Sequence, residues 1–219
     1  MRTIRVTGKG QIKVHPDMTR IVITLEGKNY EYSDTLKQSS DDTEQLKDTM
    51  EPFGFNRTDL KTISFDVEPI YESYKIKDEY KRRFTGYKFT HVLKLEFHSD
   101  NTRLGKILYA LANCQLHPEF RLIYTVKDTE KPKNELLGKA VQDAKIKAGV
   151  LTEAAGLKLK DIQSIDYSWG RIDFEYTPIH RDLYPEADLC CMEEKSLAMD
   201  IEPDDIEVQD TVTVLWEIC

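Results

Sequence analysis

From Ile4 to Val14 the apolar and glycine residues all fall on one parity: Ile4, Val6, Gly8, Gly10, Ile12 and Val14 alternate with Arg5, Thr7, Lys9, Gln11 and Lys13. A period of two belongs to a strand with one buried face. This stretch constrains the fold most, because two of its inward positions carry no side chain. Gly8 and Gly10 therefore mark a bend, a bulge or the close approach of another backbone. Pro16 and Asp17 supply a turn, and Ile21, Ile23 and Leu25 open a second alternating run. Together they read as a long β-hairpin that starts almost at the first residue. Glycines two apart also occur in dinucleotide-binding loops, but that fingerprint needs a third glycine opening a helix, and here the chain continues as strand.

The remaining chain alternates helical and extended patterns. Ser33 is placed to cap a helix running to about Glu51, with a thin apolar stripe of Leu36, Leu46 and Met50 around Thr43. Ile63, Phe65, Val67, Pro69 and Tyr71 alternate as one strand, and Phe89, His91, Leu93, Leu95 and Phe97 as another. The polar link between them, from about Glu72 to Arg83, predicts a hairpin with a charged tip. Asn101 caps a short helix whose Leu104, Ile107, Leu108, Leu111 and Ala112 share a face. Phe120, Leu122, Tyr124 and Val126 follow as a strand. Pro132 suits the first turn of a longer helix with an inner row of Leu136, Ala140, Ala144, Ala148 and Leu151, and Gly156 suits its end. Ile162 to Tyr176 and Val212 to Ile218 are extended, and the intervening 177–205 is irregular and acidic.

Several of these residues also carry a family resemblance. The opening Val6-x-Gly8-x-Gly10-x-Ile12-x-Val14-x-Pro16-Asp17 resembles the signature of the bacterial SIMPL-domain family, a group of unknown function that includes periplasmic immunogenic proteins. Asp59-Leu60-Lys61-Thr62, then Val67-Glu68-Pro69-Ile70-Tyr71, then Thr85-Gly86-Tyr87 follow in the family's order. The helix through Ala140, Ala144, Lys147, Ala148 and Gly156, and Ile201-Glu202-Pro203 before the last strand, complete it. One departure is Asp204, where the family usually has glycine. The resemblance implies a structural motif at Gly8, Gly10, Pro16, Asp17, Pro69, Tyr71, Gly86, Tyr87 and Gly156. It also implies oligomeric assembly and a role in stress tolerance, oxidative stress above all.

Charge and motifs narrow the chemistry. With 31 Lys and Arg against 39 Asp and Glu, the net charge of −8 argues against a nucleic-acid partner, which needs basic patches. No apolar run is long enough to span a membrane. Arg2, Arg5 and Lys9 interrupt any apolar leader core, so a chain starting at Met1 is expected to stay in the cytoplasm, whereas many family members resemble exported proteins. The cysteines Cys114, Cys190, Cys191 and Cys219 lack a C-x-x-C spacing and are expected to be reduced thiols. Cys190 and Cys191, with His180 upstream, offer an alternative thiol or metal site. The carboxylates Asp200, Glu202, Asp204 and Asp205 lack the glycine-turned loop of a calcium site.

No serine-hydrolase elbow, zinc-protease helix, phosphate loop or kinase signature occurs. His91 falls on the core parity of its strand and reads as a satisfied core histidine; His15, beside a turn, reads as solvated. Tyr71, Tyr74, Tyr80, Tyr87, Tyr167, Trp169 and Tyr176 gather at strand ends, as edge packing or as the lining of a pocket. The sequence thus predicts an α+β fold, a mixed and largely antiparallel sheet built from hairpins and packed by three helices, with recurring strand-helix-strand units suggesting two lobes. Residues 1–219 are expected to form a single SIMPL-like domain without cofactor or metal, working as a non-enzymatic, homo-oligomeric binding or scaffold protein. The alternative is a small-molecule or metal-binding protein using the Tyr-rich strand ends or the Cys190-Cys191 segment, and an enzyme of unrecognised type is a weaker third.

Overall fold

The structure, a computed structural model, describes residues 2–76, 79–167, 172–178 and 202–219. Among them the elements run β1 (Arg2–Val14), β2 (Met18–Asn29), α1 (Tyr32–Met50), β3 (Lys61–Ile76), β4 (Glu79–His98), α2 (Asn101–Ala112), β5 (Glu119–Thr125), α3 (Glu130–Ala154), β6 (Leu159–Asp166), β7 (Glu175–Tyr176) and β8 (Ile206–Ile218). A short 3-10 turn, Glu51–Phe53, follows α1. This is the α+β architecture expected, with three helices and two sheets. The chain divides into two compact units, one of Met1–Asp17, Tyr124–Tyr176 and Pro203–Cys219, the other built on Met18–Ile123.

The first unit is a three-stranded antiparallel sheet in the order β1-β8-β6, with α3 on one face. Contrary to the hairpin expectation, β1 and β2 do not pair. All thirteen residues of β1 pair with β8, from Arg2 opposite Ile218 to Val14 opposite Ile206, so no part of β1 overhangs its own sheet. The two strands separate because their apolar faces serve different cores: Val6 packs with Val212, Val214 and Trp216 under α3, whereas Ile21, Ile23 and Leu25 belong to a core of β2, β4, α1 and α2. Pro16 is buried in the short connection, and the Asp17 carboxylate there accepts the Lys127 amide at 2.8 Å.

Helix α3 lies mainly over β1, less over β8, and barely touches β6. Its inward row is Leu136, Ala140, Ala144, Ala148 and Thr152, each four residues on. The row follows that ridge to Thr152, so Leu151, expected inside, is exposed. Small residues on the helix meet glycines on the strand. A β-carbon on Gly8 would stand 2.0 Å from the Ala140 carbonyl oxygen, and one on Gly10 would stand 2.2 Å from that of Leu136. The alanines contribute little apolar area, so the buried Trp216 indole supplies much of this core; burying roughly 200 Å² at about 25 cal/mol/Å² amounts to about 5 kcal/mol as an upper estimate. After Ala155 the helix stops at Gly156, which takes the left-handed conformation (φ 70°) that favours glycine.

In the second unit β2 and β3 flank β4, both antiparallel to it, and β5 lies next to β2. α1 and α2 cover one face. Their Leu46, Met50, Leu104, Ile107, Leu108 and Leu111 interlock with Phe89, Leu93, Leu95 and Phe97 of β4. Asp100, one residue before the expected cap, accepts the Arg103 amide at 3.0 Å. α1 begins at Tyr32 without a side-chain cap at Glu31, so Ser33 is not its cap. Its inner face holds Thr35 and Ser39 where an apolar row was expected, and Leu36 is exposed. The buried Thr35 hydroxyl donates to the carbonyl of Glu31 at 2.9 Å, which removes the penalty of an unpaired group. β3 is an edge strand: Ile63, Phe65 and Tyr71 are all more than two-fifths exposed, so its alternation is real but its face is half uncovered.

The glycine contacts predict opposite outcomes for similar substitutions. Gly8→Ala and Gly10→Val force α3 off the sheet and should each destabilise by about 1–3 kcal/mol, lowering the thermal midpoint by roughly 2–4 °C per kcal/mol. Gly138→Ala and Gly149→Ala, in α3 where an added β-carbon meets nothing within 4 Å, should raise stability by about 0.5–1 kcal/mol each through helix propensity. Thermal denaturation of the four variants checks both directions.

Candidate functional site

A cluster of hydrogen-bonding side chains surrounds His91, in a cleft of about 370 Å³ lined by Leu36, Ser39, Thr43, Lys47, Thr62 and Phe65 among others. α1 supplies one wall, and the edge strand β3 the other. The hydrogen bonds fix the ring's proton. Thr43 Oγ1 donates to the Ser39 carbonyl at 2.7 Å, so its 3.2 Å contact with His91 Nδ1 requires that nitrogen to carry the hydrogen. His91 Nε2 then accepts from Thr62 Oγ1 at 2.9 Å, and Ser39 Oγ stands 3.5 Å from Nδ1. Phe65 meets the imidazole edge to face at 5.1 Å. Burial, and then the nearby Lys47 ammonium, hold the His91 pKa below its ordinary value. Lys47 itself pairs with Glu44 at 2.7 Å.

This arrangement satisfies the imidazole rather than arming it. A base activating the Thr62 hydroxyl would need an orienting acceptor at Nδ1 that strengthens as the ring charges; a threonine hydroxyl already committed to a carbonyl is a weak one. Sequence reasoning placed His91 on a core parity but missed its partners, because Ser39, Thr43 and Thr62 come from two elements. The one visible signal was Ser39 and Thr43 four apart in α1.

The motif positions serve the backbone. Gly8 and Gly10 admit α3, Pro16 and Asp17 form the connection between the first two strands, and Gly156 ends α3. Gly86 has φ 134° and a β-carbon there would lie 2.4 Å from the Asn29 carbonyl oxygen, so β4 passes β2 only as glycine. Pro69 pairs with Tyr87 across β3 and β4. Of the aromatic residues at strand ends, Tyr71 and Tyr87 join through Phe84, with ring centroids 5.8 and 5.2 Å from it, and Tyr30 adds a contact at 5.7 Å. Tyr176 instead faces Tyr124 at 6.5 Å and Tyr167 packs on the Trp216 core, both in the other unit. His15 is near Asp205, at 3.2 Å. Cys114 is buried and Cys219 exposed, both as free thiols. Trp169, His180, Cys190, Cys191 and Asp200 lie outside the described residues. Among the described residues no three His, Cys, Asp or Glu side chains are placed to hold a metal ion, and no helix is long and apolar enough to cross a membrane.

The described residues form a two-sheet α+β fold with a glycine-paved first strand under an alanine-rich helix, and comparison with known proteins gives the chain a family. Residues 4–216 match the family model SIMPL, described as a protein of unknown function (DUF541), so the chain belongs to the SIMPL family. It is 26% identical over 163 residues to the 26 kDa periplasmic immunogenic protein of Brucella abortus, and 25% identical over 163 residues to the protein of that name from Brucella melitensis biotype 1. Each alignment covers 74% of this chain and 65% of the relative, less than two thirds of its length. Both relatives are named as periplasmic, which overturns the cytoplasmic expectation. That expectation rested on charged residues near Met1, and these belong to β1 rather than reporting on export.

The His91 environment predicts a pH dependence. A histidine whose pKa is lowered on folding binds fewer protons in the native state, so its contribution is present above the ordinary value of 6.5 and is lost as pH falls below it. Urea midpoints measured above and below 6.5 should fall on the acid side more for the native chain than for His91→Gln, which leaves the other titrating groups in place.

Proposed function

We propose that residues 1–219 form one SIMPL module that works without catalysis, as a homo-oligomeric binding or scaffold protein of the bacterial envelope, with the link to stress tolerance that the family resemblance implies. One observation carries the self-association: beyond Leu159, which packs on the Trp216 core, the described residues leave the inner face of β6 bare. Ile162 lies opposite Trp216 and Ile165 opposite Val214, on the face that α3 covers over β1 and β8, yet the two isoleucines are 48% and 50% exposed. β6 is also an edge strand, with a row of backbone groups that no other described strand pairs. An apolar strip beside an open edge is suited to a copy of the same surface across a two-fold axis, the commonest arrangement in homo-oligomers. The name periplasmic, borne by the relatives, supports the envelope setting, and the hydroxyl-held His91 supports a role without catalysis.

Light scattering coupled to gel filtration is expected to give at least twice the 25.5 kDa chain mass at micromolar concentration. The double variant Ile162→Lys, Ile165→Lys should return the chain mass with its circular dichroism unchanged. A native chain that elutes as a monomer contradicts the reading and leaves small-molecule binding at the His91 cleft as the better one.

A further inference from the structure

The cleft beside His91 rests on two irregularities that packing alone does not need. The first is in β3. Thr62 and Phe65 are three residues apart, so on a regular strand they would point to opposite faces. The bulge between Thr62 and Ser64 turns both towards His91: Thr62 Oγ1 reaches Nε2 at 2.9 Å, and the Phe65 ring meets the imidazole at 5.1 Å. Bulges at sheet edges re-aim side chains in this way. The second is a proton without an acceptor. Ser39 is 3% exposed and lines the cleft. Nδ1 of His91 carries the ring hydrogen, so the Ser39 oxygen, 3.5 Å away, only accepts from it. The hydroxyl hydrogen of Ser39 then has no acceptor among the described residues. A buried donor left unmade costs free energy, which a ligand oxygen recovers.

Around this donor the charges are balanced. Lys47 pairs with Glu44 at 2.7 Å, Arg57 also holds Glu44, and burial keeps the imidazole neutral. Among the described lining residues each charge already has an opposite partner, so an ion has to break a pair and the cleft favours an uncharged ligand. A wholly apolar ligand is disfavoured too, because it leaves the Ser39 hydrogen unpaired. Apolar surface is still present on both walls: Leu36 on α1 is 38% exposed and Phe65 on β3 43%.

We propose that the His91 cleft binds a neutral pyranose sugar, with a face of the sugar ring on Phe65 and its hydroxyls on Ser39, Thr62 and the Glu44–Lys47 pair. A pyranose carries C–H bonds on its faces and hydroxyls around its rim. The C–H bonds suit the negative face of an aromatic ring. Each sugar hydroxyl both donates and accepts, which matches a lining where Ser39 donates, Thr62 accepts and the ion pair does both. A cleft of about 370 Å³ is at the small end of the roughly 300–1,000 Å³ range of ligand sites and suits one or two rings. A peptide backbone is uncharged as well, but it is recognised by a row of strand groups. Here the polar groups are side chains gathered around one imidazole. The cleft lies within one unit, so the proposal is independent of self-association through β6.

The test titrates the full chain above pH 6.5, where His91 is neutral, and follows the imidazole proton resonance of His91, identified by its loss in His91→Gln. Glucose, galactose, mannose and N-acetylglucosamine are the probes. At least one is expected to shift that resonance with a Kd of about 1–10 mM, as befits one small site, and to leave the His15 resonance in place. Sorbitol, which has the hydroxyls without the ring face, should bind at least about tenfold more weakly. Phe65→Ala should weaken sugar binding at least about tenfold and Ser39→Ala about three- to tenfold. Tyr109→Ala, an exposed ring on α2 outside the lining, should change nothing. Circular dichroism establishes that the variants are folded, and the half-exposed Phe65 keeps the test decisive if Ser39→Ala does not fold. No shift with any of the four sugars at about 50 mM, well above that range, overturns the proposal, as does equal binding of sorbitol or undiminished binding by Phe65→Ala. A shift produced by a short acetylated peptide amide and by none of the sugars would assign the cleft to a peptide instead.

Discussion

The approach of α3 to β1 at Gly8 and Gly10 is the contact on which the first unit depends. Glycine on the strand and alanine on the helix bring two backbones within reach of each other, and nothing larger fits at either place. The contact also seats the helix over the sheet's edge rather than its centre. On that side Asp143 of α3 accepts the Lys9 amide at 2.7 Å, closing part of the outer edge of β1. The Lys147 ammonium, and then this amide, hold the Asp143 carboxyl below its ordinary pKa. On the far side the helix leaves β6 uncovered. One packing decision thus protects one edge and exposes the other, and the proposed self-association follows from it.

The second unit solves a different problem. Its large apolar residues come from β2, β4, α1 and α2, and one face of its sheet is well covered. The margin is polar: α1 turns Thr35 and Ser39 inward, and His91 sits among hydroxyls where a leucine would have continued the row on β4. Such a network holds the edge strand β3 through Thr62 without adding apolar area. At the other end of the same strand pair β3 and β4 run on together past the last residue of β2, held there by the rings of Tyr30, Phe84 and Tyr87 and by Gly86, which the close approach of the Asn29 carbonyl requires.

Much of this was legible in the sequence because the strongest patterns are local. The order of strands and helices, the inward row of α3 and the inward glycines of β1 all follow from residue spacing. What spacing does not encode is which strand pairs with which. Pro16-Asp17 reads as a hairpin turn, yet β1 pairs with β8, some two hundred residues away, because the faces of β1 and β2 fit different helices. Partners of His91 were hidden for the same reason: Ser39 and Thr43 on α1 and Thr62 on β3 have no spacing that marks them as neighbours until the two elements meet. Exposure at Ile63, Phe65 and Tyr71 was likewise invisible, since alternation marks a strand but does not say whether anything covers it.

β1 and α3 hold together as one piece through their backbone approach. Hydrogen exchange followed by mass spectrometry tests this directly. Peptides from β1, from 136–148 of α3 and from β8 are expected to exchange slowly and together, and Gly8→Ala to speed all three. Rapid exchange of β1 while α3 and β8 stay protected in the native chain would contradict it.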